Sequence, residues 1–200
     1  MSIKHPSVRR EDYDKLAVEK AELQTEVDYY KMKKEAAERI LKDIPNSKII
    51  IIFRNPVDRA YSNYQLGIRK KTETLSFEDA IDEEMNFLEK HSFRESVDRR
   101  RSYLSKGFYE NQIKIWFNVF PREKIHILST EDMQKNPEKT LLKIFQFLVI
   151  PNYTLKNPQK QKSSEYKKMD EKTRKILLDF YKPHNEKFFQ IIQERFDWNF

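Results

Sequence analysis

KIIIIFRNPVDRAYSNY, residues 48–64, carries the clearest structural signal in the chain. It opens on four β-branched residues, Ile49-Ile50-Ile51-Ile52, closed by Phe53 and bounded upstream by Pro45-Asn46. So short a run has strand length rather than helix length. Its lack of apolar–polar alternation predicts a strand covered on both faces, as in a parallel sheet. Arg54-Asn55-Pro56 ends it. Asn55 is a good helix N-cap, because its side-chain oxygen accepts an orphan N–H. Pro56 suits the first helical position, where no N–H is needed. The helix VDRAYSNYQLGI should follow at once, so the unit reads strand, tight turn, helix.

Working outward, residues 11–23 read as a polar helix and 35–44 as a better one, ended near Pro45. Ser76-Phe77-Glu78-Asp79 resembles a capping box that opens a helix of about a dozen residues. The charged stretch around Arg99-Arg100-Arg101 reads as a solvated helix face, with contact of these arginines and Tyr103 to nucleic acid or a sulfated polymer as the alternative. Ile113, Trp116, Phe117 and Phe120 fall at helical spacing and predict a helix over 107–119, stopped by Pro121. Lys124–Ser129 reads as a second short strand. Asn136-Pro137 repeats the cap-plus-proline start, ahead of the helical pattern Leu141, Ile144, Phe145, Leu148. Residues 151–168 read as a loop, and a last helical region begins at Asp170, with Pro183 placed to interrupt it. Strands alternating with helices predict an α/β sandwich around a parallel sheet. With no repeat and no dividing linker, residues 1–200 read as a single domain.

Composition narrows the chemistry. The 200 residues carry 14 Phe, 10 Tyr and 2 Trp, too many aromatics for a disordered chain despite a mean hydropathy of -0.87. The absence of cysteine excludes disulfide frameworks, Cys–zinc sites and thiol nucleophiles. Four scattered histidines show no metal-ligand spacing. The only glycines are Gly67 and Gly107, so these 200 residues hold no G-x-G-x-x-G, Walker A or G-x-S-x-G loop. A net charge of +7 favours anionic partners: nucleotides, sulfated or phosphorylated substrates, nucleic acid or membrane surfaces. A lysine-rich soluble surface accounts for the charge equally well. No run approaches the ~20 apolar residues of a membrane span. The N-terminus lacks the apolar core of a secretory signal, so a cytoplasmic location is expected.

Ligands of open α/β sheets bind outside the carboxyl ends of the strands, which is where Arg54 falls. The N-terminus of the helix after it should offer free N–H groups and a positive dipole end. Arg59 and Ser62 lie in its first two turns. Guanidinium, hydroxyl and helix end together make a phosphate clamp. The structural alternative is that Arg54 pairs with a carboxylate and Ser62 only packs.

The wording of the segment adds a second line of argument. Residues 48–64 closely resemble the segment with which sulfotransferases grip the 3′-phosphate of PAPS (3′-phosphoadenosine 5′-phosphosulfate). The resemblance continues through YLSKGFYENQIKIWFNVFP (103–121), the strand and helix of 124–148 and YKKMDEKTRKILLDFYKPHN (166–185). Tyr29-Tyr30 and Ala37-Glu38-Arg39-Ile40 also fit, so it spans roughly 24–200. It implies a P-loop-like three-layer sandwich with a central parallel sheet, with Arg54 and Ser62 as the 3′-phosphate ligands. It further implies sulfuryl transfer from PAPS to a hydroxyl or amine acceptor such as a glycan or a small metabolite.

Three departures qualify what the resemblance implies. The family's Pro-Lys-x-Gly-Thr-Thr loop for the 5′-phosphosulfate should lie before Met1, with His5-Pro6 resembling the end of its helix. The expectation is therefore an N-terminally truncated fold whose catalysis is impaired. The family's base, a Glu ahead of the paired aromatics, falls at Thr25 on ungapped alignment, which leaves Glu26 as the candidate one position off. The family's Lys-Gly-Arg over the nucleotide phosphates becomes Lys162-Ser163-Ser164, leaving Lys162 as a phosphate contact. The alternative function is a non-catalytic basic module that binds a 3′-phosphonucleotide, an anionic glycan or RNA.

Overall fold

A computed structural model describes residues 31–91, 96, 101–153 and 167–198. Its centre is a pair of parallel strands, β1 (Ile49–Phe53) and β2 (Ile125–Ser129), in the register Ile49↔Ile125 to Phe53↔Ser129. The first described helix, α1, covers 31–43. After β1 come α2 (Pro56–Arg69), α3 (Phe77–Leu88), a 3-10 turn at Ser105–Gly107 and α4 (Tyr109–Val119). After β2 come α5 (Thr130–Lys135), α6 (Pro137–Leu148) and the long α7 (Glu171–Ile192). This is an α/β fold with a parallel sheet, as the alternation of elements predicts. The expected helix over 11–23 lies outside the described residues.

Side chains alternate across the strands. Ile49, Ile51 and Phe53 of β1 join Ile125 and Ile127 of β2 in one core, closed by Ile113 and Phe120 near α4 and by Phe188, Phe189 and Ile192 of α7. On the other face His126 stacks on Phe147 of α6, their rings 5.1 Å apart. The expectation that β1 is covered on both faces is met on one only: Ile52 is 53% exposed. A second core joins Val57, Ala60 and Tyr64 of α2 to Phe77, Ala80 and Ile81 of α3 and to Leu177 and Tyr181 of α7.

The turn before α4 shows why one glycine stands where it does. A Cβ on Gly107 would lie 2.8 Å from the ring of Tyr181, which is fully buried and donates its hydroxyl to the Leu104 carbonyl at 2.8 Å. Pro183 does not interrupt the last helix. α7 runs unbroken through it, held on either side by buried Tyr181 and Asn185. Arg101 is no solvated arginine: its guanidinium pairs with Glu73 at 3.0 Å and Glu83 at 3.3 Å. Arg99 and Arg100 lie outside the described residues.

Candidate functional site

Parallel register creates the site. Because Phe53 pairs with Ser129, the residues that leave the two strands, Arg54-Asn55 and Thr130-Glu131, emerge side by side at the carboxyl ends. Asn55 is the N-cap of α2, as its residue type predicts: its side-chain oxygen accepts from the Val57 N–H at 3.0 Å. Its own N–H donates to Glu131 Oε1 at 2.9 Å, and its side-chain amide donates to the Trp198 carbonyl at 2.9 Å. The indole N–H of Trp198 donates to Glu131 Oε2 at 3.1 Å. From α4, the Tyr109 hydroxyl donates to the Arg54 carbonyl at 2.9 Å. Burial chiefly pushes the Tyr109 phenol up to about 12, so it stays a protonated donor at ordinary pH.

Against this fixed backbone, the Arg54 and Ser62 side chains stand half-buried. Neither has a side-chain hydrogen-bond or ion-pair partner among the described residues. Among the described residues no carboxylate pairs with Arg54. Both side chains are therefore available to an anion, and a guanidinium with a hydroxyl is a donor set that suits a phosphate.

Two parts of the clamp drawn from sequence differ. Arg59 is tied down in part: one guanidinium nitrogen donates to the Tyr103 carbonyl, while its buried Nε has no partner among the described residues. The start of α2 is also largely closed to an anion: Pro56 has no N–H, and those of Asn55 and Val57 are already taken. What stays open at this end of β1, among the described residues, is the two side chains more than the helix end. Glu26 and Lys162 lie outside the described residues.

Glu131 and Trp198 are site-supporting residues that sequence reasoning missed. The one available signal was that Glu131 follows the second strand at the position where Asn55 follows the first. A cavity of about 670 Å³ lies elsewhere, between α2, α3 and the start of α7, and is lined by residues such as Tyr61, Tyr64, Phe77 and Thr173. It includes neither Arg54 nor Ser62.

A strand, an arginine at its carboxyl end and a serine about two helix turns beyond the cap are the features with which comparison to known proteins begins. The sulfotransferase domain family matches over residues 5–198, and the chain belongs to that family. Among curated relatives, human carbohydrate sulfotransferase 15 is 28% identical over 176 residues, covering 77% of this chain and 31% of the relative. The membrane-associated sulfotransferase kil1 of Dictyostelium discoideum is 22% identical, covering 81% of this chain and 50% of the relative. Mouse heparan sulfate glucosamine 3-O-sulfotransferase 3B1 is 25% identical, covering 85% and 48%. The chain thus spans half or less of the length of these relatives. A solved sulfotransferase from Alicyclobacillus acidocaldarius is similar at a TM-score of 0.65 and 25% identity, covering 82% of this chain and 62% of that one. Among the described residues, no helix is long and apolar enough to cross a membrane.

Proposed function

We propose that this chain transfers a sulfuryl group from PAPS to a hydroxyl or amine acceptor, with a glycan as the favoured acceptor class. The observation that carries the reading is the pair of side chains, Arg54 and Ser62, that have no partner among the described residues and stand on a backbone held at the end of β1. The glycan acceptor rests on the relatives, whose names include carbohydrate and heparan sulfate sulfotransferases.

On this reading Arg54 and Ser62 hold the donor by its 3′-phosphate, which fixes the nucleotide and so the line of approach of an acceptor oxygen to sulfur. The guanidinium supplies charge-assisted bonds, and the hydroxyl supplies one neutral bond. Glu26 is assigned the base that takes the acceptor's proton, and Lys162 a further contact to the nucleotide phosphate.

Calorimetry with adenosine 3′,5′-bisphosphate tests the grip. Arg54→Ala should weaken binding by roughly 10- to 100-fold and Ser62→Ala by roughly 3- to 10-fold, the span of a charged and a neutral hydrogen bond. Adenosine 5′-phosphate, which lacks the 3′ group, should bind both variants as it binds the parent. Undiminished bisphosphate binding by Arg54→Ala would sink the assignment. Transfer of label from PAPS to sulfated and unsulfated oligosaccharides tests the reaction. In that assay Glu26→Gln should lower kcat by about 100-fold or more while nucleotide affinity holds.

A further inference from the structure

We infer that Glu131 and Trp198 are positioning residues for the 3′-phosphate grip. They lock the single peptide plane that follows Arg54, and so set the direction in which its side chain leaves the backbone. The inference rests on the reading of Arg54 given under Proposed function.

The Arg54 carbonyl and the Asn55 N–H belong to the same peptide unit. In a trans peptide these two groups point in opposite directions. Here each is held by a side chain: the carbonyl by the Tyr109 hydroxyl at 2.9 Å, the N–H by Glu131 Oε1 at 2.9 Å. The plane is pinned from both sides and cannot rotate without breaking one bond.

Glu131 is in turn held by Trp198. The indole N–H takes its second oxygen at 3.1 Å, and the Trp198 carbonyl receives the Asn55 side-chain amide at 2.9 Å. Asn55, Glu131 and Trp198 therefore close a ring of hydrogen bonds. Asn55 and Trp198 are 2% and 1% exposed, so these bonds face little competition from water. The Trp198 ring lies parallel to Phe188 at 5.8 Å, which seats the C-terminal segment against the sheet core.

The choice of a carboxylate follows from what it meets. Two N–H donors converge on one side chain, and a carboxylate accepts at both oxygens with nothing to donate. A glutamine in its place presents an NH2 to one of the two donors, so one of the bonds must break. Negative charge beside a site for phosphate works against binding the anion. Placing the carboxylate there is explicable if its contribution is geometric.

The test compares the parent chain with Glu131→Gln, Trp198→Phe and Arg54→Ala. Trp198→Phe keeps an aromatic ring against Phe188 and removes the indole N–H. Affinities for adenosine 3′,5′-bisphosphate and adenosine 5′-phosphate are measured by calorimetry, with Tm followed alongside. Glu131→Gln should weaken the bisphosphate roughly 5- to 20-fold and Trp198→Phe roughly 3- to 10-fold, with 5′-phosphate affinity unchanged in both. A purely structural role moves Tm and leaves the ratio of the two affinities untouched. The inference is overturned if both variants keep the parental ratio while Arg54→Ala loses bisphosphate binding. If Arg54→Ala itself binds the bisphosphate normally, the site reading fails first, and the inference fails with it through a different result.

Discussion

Glu73 shows how much a single carboxylate can anchor. It is buried, and burial alone would raise its pKa. The Arg101 guanidinium, the Leu75 N–H, the Tyr103 hydroxyl and the Thr74 N–H all favour the charged form and prevail, bringing it down to about 2. A carboxyl whose folded pKa lies below its ordinary value stabilises the fold above that ordinary value. The contribution drains away as pH falls from about 4.5 towards 2. Its full size is on the order of 3 kcal/mol. Glu73→Gln should therefore lower Tm markedly at pH 7, and the gap to the parent should shrink steadily between pH 4.5 and 2. A gap that stays constant over that range would refute the assignment. Nothing in the local sequence KKTETLSF singles out Glu73, because Arg101 and Tyr103 lie about thirty residues further on.

At the scale of elements, the caps were the legible part. Asn55, Ser76, Asn136 and Asp170 each cap a helix with the side-chain oxygen; Ser76 accepts from the Asp79 N–H as expected, but its hydroxyl, not its backbone N–H, donates to the Asp79 carboxylate. A cap needs only residues two or three positions away, so its chemistry is written locally. What ties α3 to the turn before α4 is not written that way. Glu84 is 1% exposed and accepts from the Leu104 and Ser105 N–H groups at 2.7 and 2.9 Å, and from the hydroxyls of Ser105 and Ser96. A signal did exist: Glu84 continues the stripe of Phe77, Ala80 and Ile81 that buries one face of α3. Glu84→Gln should cost about 2–4 kcal/mol in urea unfolding, since it sets an NH2 against buried donors. Glu83→Gln, at the half-exposed pair with Arg101, should cost about 1 kcal/mol or less. Equal costs would show that burial is not what gives Glu84 its weight.

At the scale of the molecule, α7 joins the two cores. Its first half gives Leu177 and Tyr181 to the core under α2 and α3, and its second half gives Phe188, Phe189 and Ile192 to the core under the sheet. One rigid helix shared by both cores predicts that they unfold together. Leu177→Ala and Phe188→Ala, each costing about 2–5 kcal/mol, should move one common transition seen alike by far-UV circular dichroism and tryptophan fluorescence. Two separable transitions would disprove the coupling. The sequence by itself determined the strand at 49–53, the cap and proline that turn it into α2, the place of Arg54 at the strand's carboxyl end and membership of a sulfotransferase-like class. All of these rest on interactions within a few residues, or on a motif contiguous in the chain. Only the three-dimensional packing decided that Arg59 donates to the Tyr103 carbonyl, that the Asn55 and Val57 N–H groups at the start of α2 are taken, that Pro183 sits inside an intact helix and that Glu131 and Trp198 hold the peptide after Arg54. The physical reason is the same in each case. A side chain's partner is chosen by strand register and by helix packing, which bring together residues up to 143 positions apart, and composition does not mark which charged groups will be taken inside.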